Sequence, residues 1–239
     1  MANKKKAAKA AESTTEPKLK PAKKKAKAAD TAQKAPKAKA PKAKTGKASK
    51  PAVEERAELI SSETVFQGPL FRVQHDKLIE PGGKPSERDV IRHNGSVVIL
   101  AIDSSKSKKD PWIVIERQYR HAANQFLWEL PAGKLDAGEE PLAGAQRELA
   151  EETGYSAKKW KPLVEYFASP GFLGEAMKVF TAEGLVAGDA HPEEDEDIDF
   201  RLVKLSDLLK MIDKGAIKDG KTLSAVLLYA RQTGAKRRK

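Results

Sequence analysis

Within residues 147–152, Arg147-Glu148-Leu149-Ala150-Glu151-Glu152, three carboxylates and a guanidinium have the types and spacing for chemistry on phosphates. On a helix, Glu148 lies one turn from both Glu151 and Glu152, at offsets of three and four, so the three carboxylates share one side. Arg147 lies one turn from Glu151. Like charges this close repel unless a cation or an arginine sits among them, and hard oxygen ligands select magnesium or manganese over zinc. Magnesium keeps several waters and is commonly shared with substrate phosphates, which makes a diphosphate the natural substrate class. The plain alternative for an E-x-x-E-E run is a solvated acidic helix face.

The flanking residues must hold these side chains in place. In GKLDAGEEPLAGAQRELAEETGY, residues 133–155, Pro141 suits the first turn of a helix and Gly154 its end. Leu142, Ala145 and Leu149 recur at offsets of three and four as a buried stripe. The spacing predicts a helix over 141–153. FLWELPAG leads into the glycine turn before it, so the order around the carboxylates is strand, loop, helix.

GSVVILAID and WIVIERQYR are short apolar runs of the kind found in central strands, separated by the polar loop SSKSKKDP. Upstream, TVFQGPLFRVQHDKLIE alternates, PGGKP supplies turn chemistry and SERDVIRH resumes an extended pattern, which predicts a small antiparallel meander over 64–93. Downstream, LVEYFASPGF, AMKVFTAEGL and FRLVKL are expected strands, with SPGF and HPEEDEDID as loops. Two helices are expected to close the chain. SDLLKMIDKG has Ser206 as its expected N-cap and Gly215 after its end, and TLSAVLLYARQTG stops at Gly234.

Charge divides the chain in two. Residues 1–52 hold 17 lysines, no arginine and three acids (Glu12, Glu16, Asp30), a net +14, whereas residues 53–239 carry 28 basic and 31 acidic residues, a net −3. The formal +11 of the whole chain belongs entirely to the first segment. That Lys/Ala/Pro-rich segment has almost nothing large and apolar to bury, so disorder is expected there. It could bind DNA, RNA or polyphosphate nonspecifically by counterion release, or act only as a solubilising extension. The body, being slightly acidic, would not be read as a nucleic-acid binder on its own charge.

No stretch reaches the length of a membrane span and the N-terminus lacks the apolar core of a secretory signal, so the expectation is a cytoplasmic enzyme without membrane association. The chain contains no cysteine, which excludes disulfides and cysteine metal sites. His75, His93, His121 and His191 show no ligand spacing and read as structural or surface residues. Trp112, Trp128 and Trp160 read as core.

The run Gly133, five residues, Glu139, seven residues, then Arg147 to Tyr155 resembles the Nudix box at every defining position. The flanks ERQYR, LWELPAGKLD and SPGF, with Pro170 sixteen residues past Gly154, resemble the ADP-ribose pyrophosphatase subgroup over roughly residues 59–230. GDP-mannose hydrolases share much of this pattern. The resemblance implies an α/β class protein: a Nudix α/β/α sandwich with a mixed sheet, preceded by a small antiparallel β-domain that exchanges across a homodimer. The implied organisation is a disordered basic tail over 1–57, the small β-domain over 58–93, the hydrolase domain over 94–233 and a basic end over 234–239.

Resemblance also assigns roles. Glu148, Glu152 and the carbonyl of Ala132 are implied Mg2+ (or Mn2+) ligands with support from Glu151, and Arg147 orients the glutamates. Arg120 is implied to contact the diphosphate or terminal ribose, with Arg117, Pro170 and Gly171 as further substrate-binding residues. In the acidic loop, Glu194 is the candidate general base and Glu196 lies near a metal. The expected reaction is hydrolysis of a nucleoside diphosphate linked to a second group by metal-activated water, giving AMP and ribose 5-phosphate from ADP-ribose. GDP-mannose, NADH, dinucleoside polyphosphates, a nucleic-acid substrate delivered by the tail, or a noncatalytic sensing module are the alternatives.

Overall fold

The computed structural model describes residues 55–191 and 198–234. The basic tail up to residue 54, the loop 192–197 with Glu194 and Glu196, and residues 235–239 lie outside the described residues.

The sheet forms around the most apolar run. Strand β4 (Ser96–Asp103) is SVVILAID, and it is buried on both faces up to Ile102. Side chains alternate along a strand, so each face of β4 gathers its own core. Val97, Ile99 and Ala101 pack with Leu135, Ala145 and Leu149, and Val98, Leu100 and Ile102 pack with Leu205, Leu208 and Val226. A fully buried aliphatic side chain contributes roughly 1.5–3 kcal/mol. Those contributions make β4, rather than any surface ion pair, the element that sets the register.

Its neighbours follow from strand length and turns. β1 (Glu58–Gln67), β2 (Arg72–Ile79) and β3 (Pro85–Arg92) form the antiparallel meander expected from the alternation. β5 (Trp112–Arg120), β6 (Gln125–Glu129), β7 (Ala132–Lys134), β8 (Tyr155–Ser169), β9 (Leu173–Ala187) and β10 (Asp199–Lys204) complete the sheet. The order is β1-β2-β3-β9-β4-β5-β10, with β6 beside β5, β7 beside β4 and β8 beside β9. β9 runs parallel to β4 and β3, while the other pairs are antiparallel, so the sheet is mixed.

Helix α1 (Pro141–Thr153) covers one face of β4, and α2 (Leu205–Asp213) with α3 (Gly220–Thr233) covers the other, which gives the expected α/β/α sandwich. The helix bounds of α1 match the prediction from Pro141 and Gly154; Gly154 has φ 68° and accepts no side chain, because a Cβ would stand 2.6 Å from the carbonyl oxygen of Gly188. Two local expectations are corrected. Leu142 is 41% exposed, and the buried stripe consists of Gly144, Ala145, Glu148, Leu149 and Glu152. Gly144 permits this, since a Cβ there would meet Leu135 at 2.7 Å. Ser206 lies inside α2 rather than capping it. Its N–H and hydroxyl both donate to the carboxylate of Asp110, at 2.9 and 3.0 Å, so a loop residue remote in sequence serves the helix start. α3 is capped locally, with Asp219 accepting from the N–H of Thr222 at 2.9 Å.

Candidate active site

The site begins where β6 turns into β7. Pro131 accepts a hydrogen bond from the N–H of Ile99, and Ala132–Lys134 pair with Val98–Ser96, which fixes this turn to the central strand. The N–H of Ala132 then donates to Glu152 Oε2 at 3.1 Å. Gly133 sits against Glu148, and a Cβ there would be 2.0 Å from the carboxyl carbon. Glycine at this position is therefore required by close approach of a carboxylate to backbone.

Arg147 binds the cluster from its outer side. Its Nε and Nη2 donate to the two oxygens of Glu139 at 3.0 and 3.1 Å, Nη1 donates to Glu151 at 2.9 Å, and Nη1 lies 2.9 Å from Glu148 Oε1. Nη2 also reaches the carbonyl of Lys134 at 3.3 Å. Hydrogen bonds to Glu139, then the charges of its other partners, hold the guanidinium well above its ordinary pKa, and those same bonds hold Glu139 below the usual carboxylate range. Arg147 thus makes a bidentate fork to Glu139 plus two further acidic contacts.

Glu148 and Glu152 are buried, at 9% and 4% exposure, on the side of α1 that faces the Ala132–Gly133 turn. Two buried carboxylates beside the Ala132–Gly133 turn offer hard oxygens suited to a divalent cation. Gly133 lets the Glu148 carboxylate lie against the backbone of the turn, and the Glu152 carboxylate meets the same turn at the Ala132 N–H. The residues fit a divalent metal. Among the described residues no three His, Asp or Glu side chains already converge as a preformed cage, Glu151 being turned to Arg147.

Glu116 and Glu129 are the residues that sequence reasoning missed. They are directly opposed on β5 and β6 and are 0% and 1% exposed. Glu129 is clamped by Arg120, whose Nε and Nη2 donate to its two oxygens at 3.0 and 2.9 Å, and by Lys221. Burial works against ionisation of Glu129, but these bonds outweigh it and its pKa is lowered. Glu116 has no such clamp: no cationic side chain donates to it, and its one side-chain partner is the Glu152 carboxyl. Burial first, then the charge of Glu129, pushes Glu116 up to about 8. The available signal was a single acid ending each apolar run, WIVIE and FLWE.

A cleft of about 500 Å³ opens beside the turn, lined by Arg120, Ala132, Gly133 and Lys134, by Lys221 and Asp219 of the first turn of α3, and by Glu175, His93 and Tyr166. Its volume suits a small-molecule ligand. Ser96 donates to Glu175 at 2.6 Å, and His93 accepts from the N–H of Gly95 at 3.0 Å, so this histidine belongs to the cleft wall. The hydroxyl of Tyr166 is buried near Ser224, and burial with the nearby Asp219 charge pushes it up to about 12.

The structure brings Ala132, Arg147, Glu148, Glu151 and Glu152 into one cluster and sets Arg120 on the adjoining cleft wall. Among the described residues, it does not bring in Arg117, Pro170 or Gly171. Arg117 is exposed and stacks over Phe126 at 4.4 Å. Pro170 and Gly171 line a separate hollow of about 440 Å³ with Arg88, Arg92, Phe167 and Phe172.

The NUDIX domain model matches residues 92–226, and the chain belongs to the Nudix family and is a hydrolase. It is 37% identical over 178 residues to the ADP-ribose pyrophosphatase of Bacillus subtilis (strain 168), covering 73% of this chain and 92% of that protein. It is 38% identical over 186 residues to an ADP-ribose pyrophosphatase of Mycobacterium tuberculosis, covering 76% and 87%. Among solved structures, a crystal structure of an ADP compounds hydrolase superposes with TM-score 0.62 at 21% identity, covering 76% of this chain and 98% of that one, a likeness of fold. No helix among the described residues is long and apolar enough to cross a membrane.

Proposed function

We propose that this hydrolase cleaves the diphosphate bond of ADP-ribose or a related nucleoside diphosphate sugar, giving AMP and ribose 5-phosphate from ADP-ribose. The observation that carries the reading is the pair of buried carboxylates, Glu148 and Glu152, packed on the Ala132–Gly133 turn at the edge of a cleft walled by Arg120. The names of the bacterial relatives support the substrate class. Glu148, Glu152 and the Ala132 carbonyl would hold Mg2+ or Mn2+, which when bound lowers the pKa of a water and offsets phosphate charge. Arg147 keeps Glu148 and Glu151 oriented through its four acidic and carbonyl contacts. Arg120 is held in a fixed plane by Glu129, which leaves its remaining nitrogen for a phosphate oxygen. Glu194 as general base and Glu196 near the metal complete the assignment from the loop outside the described residues.

The proposed assembly is a homodimer through the meander, since Leu59, Ile60, Val65 and Phe66 of β1 are each more than half exposed. The lysine-rich tail is proposed to bind nucleic acid nonspecifically, and the enzyme to act in the cytoplasm. Removing residues 1–52 is expected to leave hydrolysis unchanged and to abolish any salt-sensitive binding to duplex DNA in a retardation assay. DNA binding undiminished by the truncation would assign it elsewhere.

A hydrolysis panel with Mg2+ or Mn2+ tests the substrate. ADP-ribose is expected to give the highest kcat/KM, ahead of GDP-mannose, NADH and dinucleoside polyphosphates. Preference for GDP-mannose would replace the substrate, and turnover of none of them would overturn the reading.

A further inference from the structure

Strands β5 and β6 carry Glu116, Arg120 and Glu129 on one face and a different set of side chains on the other. Arg117 and Tyr119 alternate with Glu116 and Arg120 along β5, and they stand opposite Trp128 and Phe126 of β6. On this second face the Arg117 guanidinium lies over the Phe126 ring at 4.4 Å, and Arg201 of β10 lies over the Trp128 ring at 3.9 Å. Tyr119 packs edge-on against Phe126 with ring centres 5.3 Å apart, and its hydroxyl donates to Asn124 at 2.8 Å. Tyr119 and Phe126 are 45% and 47% exposed, and both guanidiniums are exposed. Among the described residues neither Arg117 nor Arg201 forms an ion pair, whereas Arg88, Arg92, Arg120 and Arg147 each hold a carboxylate. A guanidinium laid flat on a ring keeps its charge and presents its other side as a plane.

We propose that this face binds single-stranded nucleic acid, its bases stacking on the ring and guanidinium planes and its phosphates meeting the charges of Arg117 and Arg201. Flat π-faces interleaved with unpaired cations match a single strand, in which each nucleotide brings one plane and one negative charge. Strand geometry selects against a duplex. Side chains two residues apart on one face of β5 stand ~6.7 Å from each other, about twice the ~3.4 Å rise per base along a duplex strand. The platforms therefore suit splayed bases, and in a duplex those base faces are covered by their neighbours. A carboxylate from an acidic peptide would meet only the guanidinium edges and leave the rings bare, and a second copy of the face would set guanidinium against guanidinium. The lysine-rich tail, as proposed above, holds the phosphates of either form of nucleic acid. The β5–β6 face adds the discrimination between them.

The test uses the full chain, with a short unstructured oligothymidylate and a duplex of the same length compared by fluorescence anisotropy at one ionic strength. The wild type is expected to bind the single strand several-fold more tightly than the duplex. Phe126→Ala combined with Arg201→Ala removes one ring and one plane, neither of them in the core clusters. The double variant is expected to bind the single strand roughly ten-fold more weakly, with a much smaller change for the duplex. Arg201→Lys keeps the charge and loses the plane, so it is expected to lose part of the single-strand preference with duplex affinity and ADP-ribose hydrolysis unchanged. Equal affinity of the wild type for the two forms, or a preference that survives in the double variant, overturns the proposal. A matching loss of poly-glutamate binding in the double variant also overturns it, since the face then serves an acidic protein. A fall in mass by light scattering in that variant does so too, because the face then joins copies of the chain. The tail fails separately: it is judged by duplex binding after removal of residues 1–52, and the face by the ratio of the two affinities.

Discussion

β4 and β1 lie in one sheet and obey opposite rules. Every residue of β4 from Ser96 to Ile102 is buried, and every residue of β1 is exposed. β4 is sandwiched between α1 and the α2/α3 layer, so its two faces close the core within one chain. β1 pairs with β2 alone, and its apolar residues Leu59, Ile60, Val65 and Phe66 remain on the surface. The contrast separates a region whose packing is closed within one chain, and can therefore hold side chains in fixed places, from one that leaves apolar surface exposed, where the proposed dimer would form.

Outside the carboxylate cluster itself, the largest effect is expected at the turn that the cluster rests on. Gly133→Ala would put a methyl 2.0 Å from the Glu148 carboxyl carbon, and the clash is relieved by swinging that side chain away from the turn, out of its place in the cluster. We expect kcat to fall by about a hundred-fold or more with the molecule still folded by circular dichroism. Activity near the wild-type level would show that hydrolysis does not need Glu148 against the turn.

A smaller effect is expected from β1. Leu59→Ser combined with Phe66→Ser should shift the protein from dimer to monomer in light scattering while the midpoint of core unfolding changes little, because these side chains contribute nothing to the core around β4. A large fall in Tm without any change in mass would make β1 part of the core after all.

The smallest effect belongs to a surface pair in the meander. His75 Nδ1 lies 2.8 Å from Asp89, and that hydrogen bond, with the Asp89 and Glu87 charges, raises its pKa above 6.5. A group whose pKa is raised by folding adds stability that is fully present below its unfolded value and is lost as pH rises through the folded value. The Tm difference between wild type and His75→Asn should therefore be positive at about pH 5.5 and vanish by about pH 8.5. It should be slight, the pair being exposed and screened. A difference that grows with pH would reverse the sign of the argument.

Much of the complete region was legible because its signals are local and periodic. Pro141 and Gly154 bracket α1, the unbroken SVVILAID run marks a strand covered on both faces, and E-x-x-E-E with Arg147 places the cluster on one helix side. What the sequence concealed depends on contacts between distant segments. The Asp110 carboxylate that serves Ser206, the Lys221–Glu129–Arg120 clamp and the approach of Glu116 to Glu152 each join residues brought together only by the sheet. Leu142 satisfied a three–four spacing yet faces solvent, because small Gly144 and Ala145 let α1 settle closer on its other side. Pro170 and Gly171 were assigned by resemblance alone, and their hollow lies against the meander rather than in the cleft.

The account stands on Glu152 as the point where helix, turn and buried acid meet, and Glu152→Gln probes it most directly. The substitution keeps the side chain's shape and can still accept the Ala132 N–H, so the Tm should hold or rise while the charge that retains a cation is lost. Metal-dependent hydrolysis of ADP-ribose by purified Glu152→Gln is expected to fall about a thousand-fold or more in kcat. Turnover within a few-fold of the wild type, at saturating Mg2+ and with an intact fold, would contradict the assignment of this helix as the metal-holding, catalytic element.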